Sequence, residues 1–146
     1  MFVVLALCGL WPAATGAIGP SGRAASSMSV REHVALTLVK RTGSTRFEHT
    51  GRATGTVGGS VHSKITLTHS VVLRGTVTIA TRKGRLKLKV DGRARSIETH
   101  SPFDGKAWIL AGTGRYAHAQ GTGTFKGVVN RSTWAAKIDA QGSFTY

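Results

Sequence analysis

The sequence predicts an all-β fold, a small closed antiparallel β-barrel of about eight strands. Three observations predict it. Apolar residues recur at every second position from Val30 to the C-terminus, the period of a strand with one buried face. Thr, Val and Ile are common in these runs, whereas amphipathic helical patterns are absent. The 19 glycines concentrate in the strand-like runs, where glycine marks a side chain that would clash or a chain that must bend. Closure removes the edges along which such glycine-rich strands would otherwise aggregate.

The elements follow in chain order. Residues 1–17, MFVVLALCGLWPAATGA, carry an apolar run over 2–11 and end in small residues. The run is too short to span a bilayer and is expected to be a signal peptide, giving a secreted or extracytoplasmic protein. Cys8, the only cysteine, lies inside it, so the remainder has no disulfide, thiolate zinc site or thiol nucleophile. Residues 18–29, rich in Gly, Pro, Ser and Ala, read as a flexible leader. The barrel domain is expected over 30–146.

Within it, Val34, Leu36 and Leu38 alternate with His33, Ala35 and Thr37. Residues 47–57 alternate Gly51, Ala53 and Gly55 with threonine and arginine. Val61, Ile65 and Leu67 mark a third strand, Leu73, Val77 and Ile79 a fourth, and Leu86, Leu88 and Val90 a fifth. Phe125 and Val129 continue the pattern, followed by Trp134, Ala136, Ile138, Ala140 and Phe144. Arg82-Lys83-Gly84 and Asp91-Gly92 read as turns. Only residues 115–120 suit a helical turn.

The sharpest local pattern is GTGRYAHAQGTGTFKG over 112–127. Phe103-Asp104-Gly105 and Trp108-Ile109-Leu110-Ala111 lead into it, with Gly75-Thr76-Val77-Thr78-Ile79, Gly84 and Leu86 upstream. Over residues 47–146 this arrangement resembles the allene oxide cyclase/dirigent barrel superfamily, especially its uncharacterised secreted bacterial members. The resemblance implies a barrel with a cavity for a hydrophobic compound, and cofactor-free isomerase or cyclase chemistry where a member is an enzyme. It transfers no catalytic residue, because the family's acids do not align onto Glu48, Glu98 or Asp104.

The residues themselves offer three kinds of site. Trp108, Tyr116, Phe125 and Trp134 fall on or beside strands and are the candidate ligand-binding set, since core and lumen coincide in a small barrel. Tyr116 is placed to plug one barrel end. Lys and Arg number 20 against 6 Asp and Glu, a formal charge of +14, which favours anionic partners. Arg85, Lys87 and Lys89 share one strand face opposite Leu86, Leu88 and Val90, forming a basic ridge for an anionic cell-surface polymer or lipid. No aromatic residues interleave with that ridge, which argues against nucleic acid. Glu98, His100 and Asp104 cluster around Pro102, in an expected loop, and form the candidate acid/base group.

The six histidines show no metal-ligand spacing, and no Ser-nucleophile, P-loop or dinucleotide fingerprint occurs, so neither a metal nor a cofactor is expected. Three functions stay open: a secreted non-catalytic barrel that binds a small hydrophobic ligand or an anionic polymer, an isomerase or cyclase acting in the lumen, and a nucleic-acid-binding protein, the last disfavoured by a signal peptide.

Overall fold

The computed structural model describes residues 26–146, and the segment read as a signal peptide lies outside them. Eight strands run β1 (Ser27–Thr42), β2 (Arg46–Gly55), β3 (Gly59–Thr68), β4 (Val72–Thr81), β5 (Gly84–Ala94), β6 (His100–Gly112), β7 (Gln120–Asn130) and β8 (Ala136–Thr145). Each pairs antiparallel with the next, and β8 pairs with β1, so the sheet closes into an eight-stranded barrel. β1 begins at Ser27, which takes the last residues of the expected leader into the barrel wall.

The up-and-down order puts the β1–β2, β3–β4, β5–β6 and β7–β8 connections at one end, here the upper end. The remaining connections and both ends of the barrel domain meet at the lower end. A single-turn 3-10 helix (Gly114–Tyr116) lies in the β6–β7 connection. Gly114 adopts φ +59°, and a Cβ there would stand 2.4 Å from the Lys83 carbonyl oxygen. Only glycine meets both demands without strain.

Alternation sorts the side chains. Leu36, Phe47, Val61, Ile79, Val90 and Phe125 point inward and are buried. Rings fit into the narrow interior by lying over glycines on neighbouring strands. A Cβ at Gly105 would meet Phe125 Cζ at 2.6 Å, and one at Gly127 would meet Phe103 Cζ at 2.8 Å. Cross-strand partners here are therefore large and absent in turn, which preserves packing density inside a tightly curved sheet. Register breaks once in β1 and once in β6, where Val39 and Leu110 are left without cross-strand partners and stand exposed.

Three local expectations are corrected. Asp91-Gly92 is not a turn: both residues continue β5, and Gly92 pairs with Gly105 beneath Phe125. Pro102 does not centre a loop. It lies in β6 opposite Val128, while the chain reverses over 95–99. Trp134 is not on a strand but in the β7–β8 connection, at φ +60°.

Candidate functional site: the barrel lumen

The inward residues do not fill the barrel. A cavity of about 230 Å³ remains along its axis, lined almost wholly by carbon. Val34, Val61, Val77, Leu88, Phe125 and Ile138, from six different strands, contribute to its wall. Apolar side chains on every strand follow from the two-residue period, and the glycines opposite Phe125 and Phe103 keep the two rings in the wall.

The lower end is sealed by aromatic packing. Tyr116 is 4% exposed, edge-on to Phe144 and Tyr146 at ring-centre distances of 6.0 and 6.3 Å. Arg115 donates to the Tyr146 hydroxyl at 2.7 Å and its backbone N–H bonds the Lys83 carbonyl at 2.8 Å. Just inside, Glu32 projects from β1 into the lumen and is 4% exposed. Its carboxylate accepts from the backbone N–H groups of Val57 and, at 3.2 Å, of Gly58. A buried carboxylate held by turn amides satisfies donors that would otherwise be orphaned in an apolar interior.

The upper end is covered by one side chain. The Trp134 ring lies 4.3 Å from that of Phe47, between the guanidinium groups of Arg41 at 5.4 Å and Arg131 at 5.7 Å. Arg131 also ties three connections together. Its Nε donates to Ser101 Oγ at 2.7 Å, and its Nη2 to the carbonyls of Ser70 and Ser96 at 2.8 and 3.1 Å. Beneath this cover, His49 projects from β2 into the lumen. Its Nε2 lies 2.9 Å from the Trp134 carbonyl, which only accepts, so the proton sits on Nε2 and Nδ1 receives the Ser63 hydroxyl at 3.5 Å. Burial holds the imidazole pKa below its ordinary value, against the opposing pull of the Trp134 carbonyl.

The residues singled out in the sequence are divided among different surfaces. Phe125 and Trp134 line the lumen. Tyr116 lies in the lower-end seal. Trp108 does not join them: it is on the outer wall, with the Lys89 ammonium 6.0 Å from its ring centre. The alternation explains this, because Ala107 and Ile109 take the inward positions of β6. Arg85, Lys87 and Lys89 are exposed on the outer face of β5. Glu98, His100 and Asp104 do not converge. Glu98 is in the β5–β6 connection, His100 is exposed at the start of β6, and Asp104 pairs with Arg95 on the outer wall at 2.7 Å.

Glu32 and His49, two ionisable side chains that face the cavity, were missed. Parity was the available signal, since Glu32 shares its phase with Val30, Val34 and Leu36, and His49 with Phe47 and Ala53. Among the described residues, no three His, Cys, Asp or Glu side chains come together in a metal-binding group.

Compared with known protein families, curated proteins and solved structures, the chain has no significant match. The lumen's own chemistry is therefore the ground for a functional reading.

Proposed function

We propose that this barrel binds a small hydrophobic ligand in its lumen, in an extracytoplasmic setting favoured by the apolar segment over 2–11. The continuous apolar cavity of about 230 Å³ carries the reading. An apolar void of about 150 Å³ suffices for a benzene-sized molecule, and such voids stay dry when empty. Filling one returns the dispersion contacts that its lining lacks.

The polar groups favour binding over acid/base chemistry. Glu32 spends its carboxylate on two turn amides, and His49 spends both ring nitrogens on Trp134 and Ser63. Glu32 pairs with Gly55 and Leu38 with His49, so the two side chains stand six residues apart along β1. At strand spacing that is about 20 Å. They serve opposite ends of the cavity and do not form one catalytic pair.

The test is titration with the neutral fluorophore N-phenyl-1-naphthylamine. The wild type should take up one probe per barrel with saturable, salt-insensitive fluorescence. Ala107→Phe and Ala140→Phe, which add a ring inside the cavity, should each weaken uptake at least tenfold while keeping the strand circular-dichroism signal. Undiminished uptake by both folded variants, or no saturable uptake by the wild type, overturns the reading.

A further inference from the structure

Opposite the lumen, the outer wall of β6, β7, β8 and β1 forms a groove that the hydrophobic ligand does not use. Two rungs of cross-strand partners build it. The first runs Lys89, Trp108, Thr122, Ser143, Ser29, and the second Asp91, Lys106, Thr124, Gln141, Arg31. The strands from β6 to β1 cover three interstrand gaps, about 14 Å. Over that distance the floor is short and hydroxylated. Thr122 and Thr124 on β7 separate Trp108 from Ser143 and Gln141 on β8, with Ser29 and Arg31 beyond them on β1. Gly123 and Gly142, paired in the wall beneath, add backbone alone.

The chemistry of this groove is specific. Trp108 is the one aromatic side chain in it, set on an otherwise polar wall rather than in the core. The indole is half-buried with the Lys89 ammonium over it at 6.0 Å, and its exposed part offers a flat apolar surface with a polar N–H. The hydroxyl and amide groups beside it both donate and accept hydrogen bonds. Positive charge surrounds it, from Lys89, Lys106 and Arg31. Among the described residues none of these three cations forms an ion pair, because Asp91, the nearest acid in register, is engaged by Arg74 at 3.4 Å. A fitting occupant is flat and apolar on one side, rich in hydroxyls at its edge, and anionic.

We infer that the Trp108 groove is a binding site for an acidic oligosaccharide, a uronate-type chain with one sugar ring stacked on Trp108 and its carboxylates met by Lys106 and Arg31. Lys89 joins this site to the basic ridge of Arg85 and Lys87, so a longer acidic chain continues along β5. Nucleic acid fits less well, because successive bases require several stacking platforms and the groove supplies one.

Isothermal titration with tetragalacturonate tests this on the full chain. The wild type should bind it saturably. The methyl-esterified tetramer, equal in shape but uncharged, should bind at least tenfold more weakly. Trp108→Ala should lose at least tenfold and Lys106→Gln at least threefold, with thermal unfolding and N-phenyl-1-naphthylamine uptake unchanged in both. Trp108→Ala binding tetragalacturonate as the wild type does would overturn the site, and so would absence of wild-type binding. Tighter binding of oligothymidylate than of tetragalacturonate would make the groove a nucleic-acid surface instead. Because the naphthylamine readout reports the lumen separately, failure of the groove and failure of the lumen reading are distinguishable.

Discussion

At the lower end of the barrel, Tyr116 is buried against Phe144 and Tyr146 and fixed by the hydrogen bonds of the Gly114–Tyr116 turn. At the upper end, Trp134 stays half-buried, in a left-handed backbone conformation, and stacks between two guanidinium groups. Both ends present an aromatic ring to the axis. The lower ring is held by close packing on all sides, and a cavity would replace it if it were removed. The upper ring belongs to a residue in left-handed conformation, packs on the buried Phe47 ring on one side, and meets two guanidinium groups besides. Strain of this kind persists where the surroundings over-determine it. The difference makes the lower end a tightly packed floor and the upper end a more exposed cover on a strained residue.

The comparison breaks first on stability. Tyr116→Ala should cost about 3–5 kcal/mol, the range for truncating a large buried ring. Trp134→Gly should cost less than about 2 kcal/mol, because lost ring contacts are offset by relief of about 1–3 kcal/mol of left-handed strain. Urea unfolding of the two variants measures both. Equal losses would show that the upper ring is as much a floor as the lower one.

A smaller effect sharpens the lower end. Glu32→Ala strands the Val57 and Gly58 amides inside an apolar wall, and each buried donor left unmade costs about 1–3 kcal/mol. Glu32→Gln keeps one carbonyl oxygen toward the same amides and should lose less. Hydrogen exchange at Val57 and Gly58 should quicken in Glu32→Ala while the β7–β8 connection keeps its wild-type rates. Uniform quickening across the barrel would instead make Glu32 a global rather than a lower-end support.

The sequence carried the barrel well and the site poorly, for one physical reason. Strand alternation is a local signal, so the inward sets on β1, β3, β4 and β5 were legible residue by residue. Glycine is ambiguous by the same logic. Gly92 has the composition of a turn but serves as the floor under Phe125, and only the register to Gly105 reveals it. Trp134 has the chemistry of a core residue but closes an end, because its left-handed φ belongs to a connection. Trp108 and Trp134 look alike in sequence, but parity turns Trp108 to the outer wall of β6, whereas Trp134 reaches the lumen from a connection. Glu32 and His49 were legible by that parity too. They were passed over because a buried charge or imidazole is expected only once its partners are known, and those partners are backbone groups of distant connections.

The smallest effect concerns pH at the upper end. His49 is buried beneath Trp134 with its Nε2 proton on the Trp134 carbonyl, and burial lowers its pKa in the folded state. In the unfolded chain the imidazole titrates near its ordinary value of 6.5. Above that value both states carry neutral imidazole, and His49 contributes its full share of stability. Below it the unfolded chain takes up a proton that the folded barrel resists, so stability falls as pH drops from 6.5 towards the lowered folded pKa. Acid should therefore loosen the Trp134 cover before it affects the Tyr116 seal, where no histidine packs. Thermal unfolding of the wild type between pH 7.5 and 5 should decline more steeply than that of His49→Gln, the difference between the two proteins being the informative quantity because every other ionisable group is common to both. Parallel curves would mean that the imidazole is as solvated when folded as when unfolded, and the Trp134 cover would then owe no pH sensitivity to His49.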